Sequence, residues 1–331
     1  MEQERKSFHI SREDLDAYVR TIAGDRCRLM EARKMRGGAQ KVVYKLECTE
    51  GLAFILYVWD LSMNYFEQEK RENGETEESY GSRQFEANTE LLTRLGIRTP
   101  AIYYINHERD RYPFDFAIVE YVSGTDIAAY YDADPRIRDK VFGELAEMLA
   151  VMHSCKSPVH GSVTAEPRKT DSCQTLIYKN ARRQLSYASR YMDDIARNES
   201  EIIRRFDDLL AAIEPRHEFG FIHGELGPDH VFVSDRLEPY LIDIEGCEYF
   251  DIEHEHTFLQ LRFQDSIYNR YLKHAGLDPH RMNFYKLHHH VSITSGGLKL
   301  LHRGFHDQEF ARGIADYNSR MVLQMLGRQQ E

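Results

Sequence analysis

The apolar residues of this chain change their period once, near residue 122, and that change limits the folds open to it. Before it, Val42, Val43, Tyr44 and Leu46 lead through the turn signal Thr49-Glu50-Gly51 into the apolar run Leu52 to Trp59. That pattern predicts a β-hairpin. Ile102 to Ile105 and Phe116 to Val122 read as two more strands around a polar loop. Two helices interrupt the strands. Residues 11–23 begin at a Ser11/Asp14 capping box and end at Gly24, and residues 84–95 stop at Gly96. After Ser123-Gly124 the spacing turns helical, over 137–153, over 174–212 as one long stretch, and from Thr257 onward. Short strands are expected only at Phe219–Ile222, Val231–Val233 and Tyr240–Ile244. The chain is therefore expected to be α+β, with a sheet-rich lobe over 1–122 and a larger helical lobe over 123–331.

Composition narrows the function. The longest apolar run, Leu52 to Trp59, is far shorter than a membrane span. The charged opening MEQERKSFHI, without an apolar core, leads us to expect no secretory signal. Five scattered cysteines with no CxxC pair read as reduced thiols, and the expected location is the cytoplasm. A net charge of −11 argues against nucleic acid as a partner and is compatible with a small cationic acceptor. No membrane partner is expected, and oligomeric state is not legible.

The chemistry concentrates in FIHGELGPDHVFVSDRLEPYLIDIEG, from Phe221. One strand delivers a loop with His223, Glu225 and His230, and a second delivers Asp243 and Glu245. Phosphoryl transfer needs such a set. One carboxylate orients the attacking hydroxyl, and a second acid with a neutral donor holds Mg²⁺ against nucleotide phosphates.

This segment resembles the HGDLxxxN…IDxE signature of the aminoglycoside and macrolide phosphotransferase and choline kinase family. The resemblance implies a two-lobed, protein-kinase-like fold and an ATP- or GTP-dependent kinase with Mg²⁺ as cofactor. The N-terminal lobe would bind the nucleotide, and the C-terminal lobe would carry the catalytic and acceptor sites. Glu225 takes the position of the catalytic Asp, His230 that of the metal-binding Asn and Asp243 that of the second metal ligand. Glu245 is the supporting acid after it. His223 is read as shaping the loop through backbone bonds. Asp251 and Glu255 match a downstream acid pair. Arg36-Gly37-Gly38 resembles the nucleotide-covering loop, and Glu86 the acid that pairs with a nucleotide-binding Lys. Glu120 to Gly124 resembles the adenine hinge, with Glu120 and Val122 as its contacts. The acceptor is expected over residues 154–212 and 257–310.

Three departures accompany the resemblance. Strand Ala53 to Trp59 lacks the phosphate-contacting Lys near Tyr57, which leaves Arg36, Lys41 or Lys45 to supply it. Glu replaces Asp at 225, and His replaces Asn at 230, as in the macrolide enzymes. A pseudokinase-like binding protein is therefore the alternative. A non-nucleotide phosphate donor is a third reading without positive support. His288-His289-His290 invites a metal site, but consecutive helical residues diverge, so three in a row cannot meet one ion. They are expected to be core or surface positions.

Overall fold

The computed structural model describes residues 9–35, 41–67, 81–164 and 171–327. The chain forms two compact units. One contains the residues up to Ile127 together with Val231–Gly246, and the other contains Ala128–His230 together with the residues from Cys247 on. The division thus falls at 127 rather than 122. The stretch bearing Asp243 and Glu245 joins the N-terminal sheet, not the helical half in which a single boundary leaves it.

The first unit is built on five antiparallel strands: β1 (Leu29–Lys34), β2 (Val42–Cys48), β3 (Ala53–Trp59), β4 (Ile102–Asn106) and β5 (Asp115–Glu120), in the order β1-β2-β3-β5-β4. The β2–β3 hairpin stands where the sequence predicts it, with Tyr44 opposite Leu56. Helix α1 (Arg12–Ala23) starts at Ser11, whose hydroxyl accepts the Asp14 N–H at 3.1 Å. It buries Leu15 and Val19 in a cluster with Leu46, Leu56 and Phe116. Helix α2 (Ser82–Arg94) sets Phe85 edge-on to Tyr57, with ring centroids 5.6 Å apart. Alternate β3 side chains therefore pack in two directions. Coverage on both faces explains why this strand reads as one continuous apolar run.

A second sheet completes this unit: β6 (Gly124–Asp126), β10 (Val231–Ser234) and β11 (Pro239–Leu241), in the order β11-β10-β6. Gly124 has φ +144°, and a Cβ there would lie 1.9 Å from the Val233 carbonyl, so only glycine lets β6 reach β10. The Arg98 Nε donates to the Pro239 carbonyl at 3.1 Å, and the Leu241 N–H donates to the Arg98 carbonyl at 2.9 Å. These bonds fasten the β10–β11 hairpin to the unit.

The second unit is mainly helical. It contains α3 (Pro135–Ser154), α4 (Cys173–Ser189), α5 (Asp193–Ala211), α6 (Ile252–Arg262), α7 (Pro279–His302) and α8 (Gln308–Gln324). A small sheet of order β7-β9-β12-β8 joins β7 (Lys156–Ser157), β9 (Phe219–Ile222), β12 (Glu248–Phe250) and β8 (Gly161–Ser162). The single helix expected over 174–212 is two helices. A straight helix of that length would run ~58 Å, too far for both ends to reach one core. The chain breaks at Arg190–Met192, and Leu185 from α4 and Ile202 and Phe206 from α5 enter the same cluster as Phe284 of α7. The helical region also begins at Ile252 rather than Thr257, after β12 pairs with β9. Among the described residues no helix is long and apolar enough to cross a membrane.

Candidate active site

In the first unit the site centres on Lys41. This residue immediately precedes β2, and its side chain is only 8% exposed. Its ammonium contacts Asp243 Oδ1 and lies 2.7 Å from Glu245 Oε1. It also sits 5.0 Å from the centroid of the Tyr57 ring. The cation missing from β3 thus arrives from the neighbouring strand and rests on the residue that replaced it. Burial works to lower the Lys41 pKa, but the charges of Asp243 and Glu245 outweigh it and the net shift is upward. The ammonium is therefore held charged. Tyr57 is pushed up by burial, against the pull of Lys41, and stays a neutral phenol. Lys45, the other described candidate, pairs with Glu47 at 2.8 Å and lies over the Tyr121 ring.

Asp243 does not lie inside a strand as the sequence suggests. β11 ends at Leu241, and Asp243 follows in a turn with φ +61°, its side chain 38% exposed. Left-handed backbone at a residue other than glycine is uncommon, though Asp tolerates it better than most. Glu245 accepts the Trp59 indole N–H at 3.2 Å. The Asn88 amide on α2 donates to the Ile244 carbonyl at 2.7 Å and so holds the turn that carries both acids. No sequence signal marks Asn88 or Trp59 for these tasks.

Glu86 meets His107 Nε2 at 3.0 Å rather than a Lys. The Glu120 N–H donates to the Ala101 carbonyl at 2.8 Å, and its carboxylate accepts the Ala101 N–H at 3.1 Å. Val122 follows, buried, after β5. Arg36, Gly37 and Gly38 lie outside the described residues.

In the second unit β9 delivers the loop from His223 to His230. Glu255 of α6, fully buried, anchors that loop. Its Oε1 accepts the N–H groups of His223 at 2.9 Å and Gly224 at 3.2 Å, and its Oε2 accepts from His153 Nε2 at 2.6 Å. Burial opposes the Glu255 charge, but the His153 hydrogen bond and nearby imidazoles outweigh it, so the pKa is lowered. The downstream acid therefore serves as a backbone clamp for the loop. His223 is buried, with its ring stacked on that of His230 at 5.8 Å between centroids. Glu225 is exposed, and its carbonyl accepts from His230 Nδ1 at 2.7 Å. That bond fixes the His230 tautomer, with the lone pair on Nε2. Asp251, also fully buried, accepts from Arg216 at 3.1 Å and from Arg281 and the Tyr285 hydroxyl. It ties α6 to α7.

An ammonium held by two acids on a sheet unit, with a clamped loop bearing an acid and an oriented imidazole on a helical unit, fits the kinase-like phosphotransferases. The phosphotransferase enzyme family (APH) matches residues 58–285, more than half of the chain, and the chain belongs to that family. Its fold is the protein-kinase-like one. It is similar to choline kinase LicA from Streptococcus pneumoniae at 14% identity and a TM-score of 0.61, covering 95% of this chain and 98% of that one. It is similar to the GDP complex of an aminoglycoside 2′-phosphotransferase-IIIa variant at 15% identity and a TM-score of 0.62, covering 96% and 100%. Spectinomycin phosphotransferase APH(9)-Ia, solved with ADP and spectinomycin, matches at 14% identity and a TM-score of 0.59, covering 95% and 97%. No curated protein sequence matches the chain.

Proposed function

We propose that the chain is a nucleotide-dependent O-phosphotransferase acting on a small hydroxyl-bearing acceptor. Membership of the phosphotransferase family supports the reaction class. The observation that carries the reading is Lys41, a buried, charged ammonium at Asp243 and Glu245. A residue so held is suited to meet the phosphates of ATP or GTP, the role for which β3 has no Lys. Structures similar to this one were solved with AMP, ADP and GDP.

The donor set fits a hard divalent cation. Asp243 offers a partly exposed carboxylate, and His230 an imidazole oriented by its Nδ1 bond. His230 and Asp243 are the proposed Mg²⁺ ligands, and an ion held there would neutralise charge on the donor phosphates. Glu225 receives the acceptor hydroxyl in a hydrogen bond and takes its proton as the new O–P bond forms and the phosphoanhydride bond breaks. Glu255 and His153 keep that loop in place. In the hinge, the Glu120 N–H is already spent on Ala101, so contacts to the base fall to its carbonyl and to Val122. Gly37 and Gly38 remain the proposed phosphate cover, and Glu245 the support for Lys41. Similar structures hold spectinomycin, hygromycin B and kanamycin, and one is a choline kinase. Amino sugars and amino alcohols are accordingly the acceptors to try first, and the net charge of −11 favours cationic ones.

A second reading has one observation of its own. Lys41 already neutralises Asp243, as a metal would, which suits a protein that binds nucleotide without turning it over. Calorimetric titration with ATP and GTP, with and without Mg²⁺, followed by turnover assays across aminoglycosides and amino alcohols, tests both readings. Mg²⁺-dependent binding with turnover supports the enzyme. Metal-independent binding without turnover supports the binding protein.

A further inference from the structure

Among the described residues, His254, His288 and His289 each bring one ring nitrogen to within 4.8 Å of the other two. His254 stands in the first turn of α6, and His288 and His289 lie mid-way along α7. His290 diverges from the other two, as consecutive helical residues do, and turns away to Asn318 at 2.8 Å. His288 and His289 nevertheless converge with His254, from another helix.

The hydrogen bonds around the cluster prepare it for a cation. His288 Nε2 donates to the Asn180 amide oxygen at 3.0 Å, and His289 Nε2 donates to the His254 carbonyl at 2.9 Å. Each bond puts the ring proton on Nε2 and leaves the lone pair on Nδ1. The Nδ1 atoms of His288 and His254 are buried and have no hydrogen-bond partner. An orphaned buried nitrogen is costly, and two in one cluster ask for an explanation. His288 and His289 are 6% and 5% exposed. The aromatic rings of Phe250, Phe258 and Tyr285 lie against the cluster at 5.2–5.3 Å between centroids.

We propose that His254, His288 and His289 form a binding site for a borderline transition-metal dication of the Zn²⁺ type. Three imidazoles suit Zn²⁺, Co²⁺ or Ni²⁺, and an all-nitrogen set does not suit Mg²⁺. Tetrahedral Zn–N bonds of ~2.1 Å put the nitrogens about 3.4 Å apart, within reach of small ring rotations. The fourth position is left to water. Such an ion pins the first turn of α6 to α7. Glu255, which clamps the His223–Gly224 backbone, is the residue after His254, so the site would also stiffen the loop that carries Glu225 and His230. Burial holds the three rings well below the usual histidine pKa, so they are neutral ligands at pH 7.

The test uses tag-free full-length protein stripped with chelator. Zn²⁺ is titrated calorimetrically, and Co²⁺ is followed by its visible absorption. The expected result is one tightly held ion per chain, Co²⁺ bands of a tetrahedral nitrogen site, and a melting temperature higher by about 5 °C at a hundredfold excess over Kd. Binding should disappear in His288→Gln and His289→Gln, weaken about 10- to 100-fold in Asn180→Ala, and persist in Asp243→Asn. The Co²⁺ spectrum of the unmutated protein needs no variant to fold. Absence of those bands overturns the proposal, as does unchanged Zn²⁺ binding in folded His288→Gln. Loss of binding in Asp243→Asn alone would move the ion to the candidate active site and overturn it equally.

Discussion

Lys41 Nζ lies 2.7 Å from Glu245 Oε1, although 204 positions separate the two residues in the sequence. The same ammonium contacts Asp243, so one buried cation serves two acids. Lys41→Met leaves those acids facing each other without it. The expected destabilisation is about 1–3 kcal/mol, below that of a fully buried pair because Asp243 is partly exposed. If Lys41 also meets the phosphates, kcat/KM falls by roughly 100-fold or more. Thermal melts and nucleotide titrations separate the two effects. Weaker stability with unaltered nucleotide affinity would reduce Lys41 to a structural pin.

Glu225→Gln should lower turnover by about 100-fold or more and leave nucleotide affinity within a few-fold, because the lost contact belongs to the transition state. Glu225→Asp should also slow an enzyme adapted to the longer side chain. Equal kcat for all three forms would remove Glu225 from the chemistry.

Asp243→Asn should abolish the Mg²⁺ dependence of nucleotide binding while preserving the fold. The check is a pair of titrations, with Mg²⁺ and with EDTA. Two isotherms that still differ as in the parent protein would exclude Asp243 as a ligand.

Glu255→Ala removes the acceptor for two backbone N–H groups and for His153 in a fully buried setting. Its expected cost is about 3–5 kcal/mol. Urea denaturation measures it. A loss below 1 kcal/mol would show that the loop keeps its shape without the clamp.

Burial raises the Glu248 carboxyl of β12 to about 7, from 4.5. The folded protein then holds a proton that the unfolded chain releases, so rising pH favours unfolding across this interval. The contribution is complete below about pH 4.5 and lost as pH passes 7. Glu248→Gln should flatten that slope and add on the order of 2 kcal/mol at pH 8. Parallel denaturant midpoints for the two proteins between pH 5 and 8 would contradict it.

What the sequence made legible was local. The Ser11 cap, the β2–β3 hairpin and α2 follow from side-chain period and turn chemistry within a dozen residues. The acids and imidazole of 223–245 follow from a motif. Glu255 was visible as a position, but its clamp on His223 and Gly224 exists only once α6 packs under β9. The break at Arg190–Met192 carries no Gly or Pro and is set by the size of the core that α4 and α5 share. β12, with Glu and two aromatics, has no strand signature of its own and forms by pairing with β9. Asn88 and His254 gain their roles from contacts that no spacing rule anticipates.

The left-handed backbone at Asp243 sets what a saturation library at this codon can report. Only glycine and, less readily, asparagine accept such a φ without added strain, so they alone leave the turn intact and read out charge. A β-branched replacement such as valine shifts the peptide planes that carry Glu245 and the carbonyl gripped by Asn88, and its phenotype mixes geometry with electrostatics. Glutamate restores the negative charge but not the conformational tolerance. Failure of glutamate beside partial tolerance of asparagine is thus the fingerprint of a position selected for main-chain shape as well as for its carboxylate.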